Sequence, residues 1–291
     1  MTAPADLAQR DVAHARRRID WLNVALWVIV VAFGLKLAWG GAHNPAFEWS
    51  VVGQWFFAPT VMQGLSVTLG LTAVAMTIGI AVGVVLAVAR MSRIRLFRGL
   101  AWGYIWFFRG TPLLVQLIFW YNLSTLFSFV SLGVPFGPSF VTWKTNSLIT
   151  PLTAAFAGLA LNEGAYMAEI VRGGLLSIDP GQLDTARAFG MTHARALRRI
   201  IIPQAMRAIV PPTGNQLISM IKATSLVSVI AMADLLYSVQ AVYNRTFQVI
   251  PLLMVAVIWY LVITSLLNVG QGFLERRFAR GDRSTPVVAP T

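Results

Sequence analysis

The 291-residue sequence contains no cysteine, only 11 acidic side chains, and few charges of any kind, 12% in all. The missing thiols exclude disulfides and thiolate metal sites. Scarcity of charge beside 57% hydrophobic residues and a mean hydropathy of +0.68 excludes an ordinary water-soluble domain and points to a lipid bilayer. No G-x-x-x-x-G-K-[ST] stretch occurs, so the chain has no phosphate-cradling loop and is not expected to hydrolyse nucleotides itself.

What is present are six apolar segments, near 21–39, 60–89, 99–127, 148–171, 205–230 and 249–273. Each reaches the roughly 20 residues a spanning helix needs, which predicts an all-α integral membrane protein with six transmembrane helices. The net charge of +12 would suggest a nucleic-acid partner in a soluble protein, so the placement of the basic residues decides its meaning. Eighteen of the 23 Lys and Arg residues fall in the N-terminal tail, the loop after the second span, the 172–207 region and the C-terminal tail. These all lie on one side of a six-span chain, and only Lys144 and Arg245 lie on the other. By the positive-inside rule both termini are cytoplasmic, and no nucleic-acid partner is expected. The run after Arg16, Arg17 and Arg18 is too long for a cleaved signal peptide and no small-residue cleavage site follows, so it reads as a retained signal-anchor helix.

Between spans four and five stands a basic, polar insert, Ser177 to Arg207, SIDPGQLDTARAFGMTHARALRRIIIPQAMR. It reads as two short helices. Asp179 suits the first cap, Pro180 the first turn, Gly190 a left-handed stop, and Thr192 a second N-cap before a helix running towards Pro203. Taken alone this also fits a helix-turn-helix DNA reader, but such a unit projects from its own packed domain, whereas this one is tied to membrane-grade sequence at both ends.

The insert resembles the cytoplasmic motif E-A-A-x3-G-x9-I-x-L-P of the permease subunits of binding-protein-dependent ABC importers. Asp184, Thr185 and Ala186 occupy its first three places, followed by Gly190, Ile200, Ile202 and Pro203. Thr185 departs most from the pattern. The stretches RGTPLLVQ (109–116), NEGAYMAEIVRGG (162–174) and KATSLVSVI (222–230) are similar to the polar amino acid branch of that family. Two positions depart from the branch: Glu163 stands where small residues are frequent, and Ala223 where polar or acidic ones are.

The resemblance implies a type I ABC importer permease-like bundle over 59–275, with the coupling loop at 177–207. A cytoplasmic tail (1–20), an added transmembrane helix with its outer loop (21–58) and a second tail (276–291) flank it. It also implies a multi-pass protein of the bacterial cytoplasmic (inner) membrane that binds no cofactor itself, ATP and Mg residing on partner ATPase subunits. Asp184, Thr185, Ala186, Gly190 and Pro203 then meet the ATPase. The implied partners are a second permease chain, identical or paralogous, an external amino-acid-binding protein, membrane lipid, and a polar amino acid as cargo.

Within the spans, Gly64, Gly70, Gly79 and Gly83 with Ser66, Thr68 and Thr72 mark the second segment as a packing scaffold. Arg109, Gly110, Thr111 and Pro112 predict a kink that frees carbonyls towards the interior. Pro211-Pro212 predicts a break at the start of span five, and Asn215, Ser219 and Lys222 a polar stripe beyond it. Residues 128–147 read as an outer turn region, and 234–248 as an amphipathic helix on the outer surface. Arg109, Glu163 and Lys222 are costly at depth and call for interior positions and partners. Either a cation pairs with Glu163 structurally, or the groups bind a zwitterion: Glu163 with Asn162 for the ammonium, Arg109 or Lys222 for the carboxylate. An ion-coupled secondary transporter or channel also accommodates buried charges but leaves the insert unexplained, and a non-transporting scaffold predicts neither.

Overall fold

The computed structural model describes residues 21–134 and 138–279. Arg10, the Arg16 to Arg18 run, Pro135, Gly137, Arg280 and Arg283 lie outside the described residues. The chain divides into two compact units between Trp49 and Ser50.

The first unit holds α1 (Trp21–His43), apolar all round and without a buried residue, and a short 3₁₀ turn, Pro45–Phe47. Asn44 caps that turn by accepting the Ala46 N–H at 3.0 Å, and the Trp49 indole donates to the Gly41 carbonyl at 3.1 Å.

The second unit runs through α2 (Trp49–Phe56), whose first residue belongs to the preceding unit, and α3 (Pro59–Arg90). It continues through α4 (Arg95–Gly110), α5 (Leu113–Tyr121) and α6 (Leu123–Leu126). A β-hairpin, β1 (Phe129–Gly133) with β2 (Ser139–Lys144), and α7 (Thr145–Leu148) then lead to α8 (Pro151–Leu176). The remainder is α9 (Gly181–Ala188), α10 (His193–Ala196), a π-helical turn (Leu197–Ile201), α11 (Ile202–Ala223), a 3₁₀ stretch (Thr224–Ile230), α12 (Leu235–Thr246) and α13 (Val249–Ala279).

The six apolar segments coincide with α1, α3, the α4–α5 pair, α8, α11 with its 3₁₀ extension, and α13. Among the described residues, α1, α3 and α13 are long and apolar enough to span a membrane on their own. The segment 193–230 qualifies together with α12, to which it is bent by 45°. The hairpin is the departure from an all-helical chain. Strand pairing places Val130 opposite Trp143 and Leu132 opposite Val141, and every residue in both strands is exposed.

The centre of the bundle is α3 against α8. Their contact is close because small residues face it: a Cβ on Gly79 would lie 2.6 Å from the Glu163 Cγ, and one on Gly83 2.5 Å from the Met167 Cβ and 2.9 Å from the Ala168 nitrogen. With no side chain between them the two backbones gain dispersion contact that a larger residue would prevent. Gly64 serves α3 in the same way against α12. Gly70 and Ser66 do not belong to this scaffold; both are exposed, and nothing lies within 4 Å of a Cβ built on Gly70. Leu71, Ala75, Leu117, Ala155, Leu159, Met220 and Val227 form the main apolar core between α3, α5, α8, α11 and the 3₁₀ stretch.

Two expected features differ. α11 runs unbroken through Pro211 and Pro212. Proline's fixed φ is itself helical, but each ring removes a donor and crowds the carbonyl four residues earlier. The Thr213 hydroxyl donates to the Ile209 carbonyl at 2.8 Å within the same turn, and packing on α8 and α13 holds the rest. α12 is amphipathic as expected, with Asn244 and Arg245 exposed, but its apolar stripe, Leu235, Val239 and Val242, is buried against α3 and α13 rather than free for lipid. Asp234 fixes its entry by accepting the Leu236 and Tyr237 N–H groups, while the Thr68 hydroxyl accepts from Leu235 at 3.0 Å.

Candidate functional site

The 177–207 insert begins as expected. The Asp179 carboxylate accepts the Gly181 N–H at 2.7 Å, although α9 starts one residue later than Pro180. At the other end Gly190 takes φ +69°, with its N–H on the Arg187 carbonyl at 2.9 Å and the Met191 N–H on the Ala186 carbonyl at 3.0 Å. This pair of bonds is a Schellman cap, and it closes the otherwise unpaired end of α9. Beyond it the expected second short helix is absent as a separate element. Thr192 stands at the N-cap without a side-chain cap bond, and α10, the π turn and α11 follow without interruption. Pro203 lacks the donor that residue 199 would receive in an α-helix, and the wider π turn lies immediately before it. The insert is therefore one separate helix, α9, braced against the N-terminal extension of span five.

Asp184, Thr185 and Pro203 are exposed, while Ala186 is buried. Asp184 accepts from Arg187 at 3.2 Å. Phe189, just before the cap, is 80% exposed. This apolar ring at the tip of a capped helix stands at one of the motif's unspecified places.

Two substitutions probe this unit. At Gly190 there is open space for a side chain, but a Cβ in the left-handed region costs about 1–2 kcal/mol. Gly190→Val should therefore leave the chain inserted and weaken its association with an ATPase subunit, read by copurification. Normal copurification with normal coupled hydrolysis would exclude a docking role. Asp184→Asn removes only an exposed ion pair, generally worth about 1 kcal/mol or less. Loss of the pair alone would leave coupled hydrolysis near the parental rate, so a marked fall in that rate is expected if the carboxylate meets the ATPase, and an unchanged rate would remove Asp184 from the contact.

The predicted kink is present. α4 ends at Gly110, Thr111 is extended, and Pro112 opens α5. Pro112 cannot donate to the Phe108 carbonyl, and two amides take its place: Gln116 Nε2 at 3.0 Å and Asn162 Nδ2 at 2.9 Å. Gln116 also donates to the Thr111 hydroxyl at 2.7 Å, and its own Oε1 accepts from Asn162 at 3.2 Å. Asn162 is thus committed to holding the break. Gln116, 4% exposed, was not singled out as a site residue, although it closes the 109–116 stretch.

The three charges are not brought together. Glu163 is buried between α3, α8 and α11, with Oε2 3.5 Å from Gln216 Nε2 and Oε1 without a hydrogen-bond partner. Neither Arg109 nor Lys222 forms an ion pair with it among the described residues, which overturns the structural pairing. The expectation that both cations face the interior also fails for the single chain, where both are exposed. Arg109 lies 5.4 Å over the Tyr166 ring. Lys222 lines a pocket of about 310 Å³ with Ser225, Tyr260 and Thr264. Of the expected stripe, Asn215 is engaged by Gln271 at 2.9 Å.

A family model described as the binding-protein-dependent transport system inner membrane component matches residues 79–280. The chain is 42% identical over 285 residues to the arginine transport system permease protein ArgU of Corynebacterium glutamicum, covering 97% of this chain and 86% of that one. It is 35% identical over 236 residues to the L-cystine transport system permease protein TcyB of Bacillus subtilis, covering 81% and 93%. The crystal structure of an amino acid ABC transporter with histidines superposes with a TM-score of 0.66 at 37% identity, over 79% of this chain and 98% of that one.

Proposed function

The chain belongs to the binding-protein-dependent transport system inner membrane component family, and from that premise we propose that it forms the translocation path of an ATP-driven importer of polar amino acids. It is the membrane permease and not an enzyme; the ATPase is a separate subunit. The multi-pass chain sits in the inner membrane, in our reading with both termini and α9 on the cytoplasmic side. Two such chains, identical or paralogous, pair around the path. Each presents Asp184, Thr185, Phe189 and the Gly190 cap to an ATPase carrying ATP and Mg, and an external binding protein delivers the cargo. Closure of the ATPases displaces α9, and its bracing transmits that displacement to α8 and α11, between which it is wired.

The observation that carries the substrate reading is the buried Glu163 carboxyl group with one oxygen unpartnered and, among the described residues, no ion pair to a protein cation. A buried acid without a protein cation is held neutral by a proton, and a cationic ligand takes that proton's place. An amino acid brings an ammonium, and a basic one a second cation, which agrees with the arginine named in the ArgU relative. Glu163 is therefore assigned to the cation, with Gln216 beside it; the Asn162 amide is held at the Phe108 carbonyl and Gln116 instead. Lys222, six residues beyond Gln216 on α11 and so about 9 Å further along the axis, lines a pocket with Ser225, Tyr260 and Thr264 that does not include Glu163. Arg109 opens on a different cleft. Purification of the chain from its own membranes with identification of the copurifying proteins tests the assembly. An ATPase and a second permease chain are expected, and their consistent absence under mild extraction would refute it.

A further inference from the structure

A second cleft, of about 480 Å³, lies between α4, α8 and the end of α3. Its lining includes the guanidinium groups of Arg90, Arg109 and Arg172 against the single carboxylate of Glu169. Glu169 is already committed: its Oε2 accepts from Arg172 Nε at 3.1 Å and Nη2 at 2.6 Å. Two positive charges remain in excess. The Arg90 Nε is buried with no hydrogen-bond partner, and Arg109 is held only over the face of Tyr166 among the contacts described. The rim is formed by Trp102 and Trp106, which stack at 6.2 Å and are 54% and 65% exposed.

Guanidinium groups offer planar paired donors that match phosphate oxygens. Indole rings favour the headgroup level of a bilayer, with the apolar face in the acyl region and the N–H towards water. Arg90 and Arg172 stand at the ends of α3 and α8 that lead into the basic loop and into α9. In the orientation given above, on which this inference rests, those are the cytoplasmic ends. Basic pockets between membrane helices on that side suit anionic headgroups.

We propose that this cleft is a binding site for the phosphodiester headgroup of an anionic phospholipid of the inner leaflet. Arg109, Arg90 and Arg172 meet the phosphate, and Trp102 and Trp106 flank the upper acyl chain. A lipid seated there would tie α4 to α8 beside the Pro112 break, at the root of α9.

The test is native mass spectrometry of the purified complex released from nanodiscs of equal phosphatidylglycerol and phosphatidylethanolamine. Phosphatidylglycerol should be retained in preference by about thirtyfold, as expected for two uncompensated charges near a membrane surface. Arg109→Gln, and separately Arg90→Gln, should bring that ratio towards one, and Arg109→Lys should keep part of it. Equal retention of the two lipids by the parent, or an undiminished preference in both glutamine variants, would overturn the proposal. Displacement of the bound lipid by millimolar inorganic phosphate without any headgroup preference would make the site one for free anions and overturn the lipid. The readout needs neither ATP nor cargo, so its failure is separable from failure of the transport reading.

Discussion

Gly83→Val should destroy the stability of the bundle. A Cβ at this position would meet the Met167 Cβ at 2.5 Å and the Ala168 backbone nitrogen at 2.9 Å. A clash with backbone cannot be relieved by a rotamer change, and the two valine methyls would add to it. Overpacking of a well-packed core costs about 1–3 kcal/mol or more, and a helix pair forced apart also forfeits neighbouring contacts along α3 and α8. Against a total stability of roughly 5–15 kcal/mol that is a large fraction. Gly70→Val supplies the control: it sits on the same helix, exposed and with no neighbour within 4 Å. We expect Gly83→Val to lower the yield of folded protein and its melting temperature in detergent sharply, and Gly70→Val to leave both near the parent. Indistinguishable melting of the two variants would contradict the packing described here.

Glu163→Gln should lower transport while leaving the complex assembled. Glutamine keeps the shape that fills the space beside Gly79 and keeps a partner for Gln216, but it removes the anion. A hydrogen bond to a charged group contributes roughly 1.5–3 kcal/mol, which corresponds to about a ten- to hundredfold loss of apparent affinity. Basal ATP hydrolysis by the assembled complex should remain measurable and its stimulation by cargo should fall. Parental rate and affinity in this variant would remove Glu163 from the substrate site. Failure to assemble would assign it a structural role instead.

The sequence exposes some of these features and conceals others, for physical reasons. The Pro112 break is legible because a missing donor is a local property of the chain, and so is the left-handed Gly190. The groups that repair the break are not: Asn162 lies 54 residues from Phe108 in sequence, and only the packing of α8 beside α4 brings its amide there. The same holds for the charges. A stripe on one helix does not say which neighbour it faces, so Arg109 and Lys222 read as interior partners of Glu163, yet the structure opens them onto separate clefts. Pro211 and Pro212 show the reverse error. A local rule for a helix stop is outweighed by packing on α8 and α13. The hairpin at 129–144 was concealed because its alternation lay within a stretch dominated by glycine and proline turn signals.

As a permease, this chain should carry cargo only when ATPase subunits drive it. The most direct measurement is uptake of labelled arginine into liposomes holding the purified complex, with the binding protein supplied on the external side. Uptake should require the ATPase subunits and ATP on the side of α9, and none should occur under a proton or sodium gradient alone. Gradient-driven uptake by this chain without ATPase subunits would contradict it.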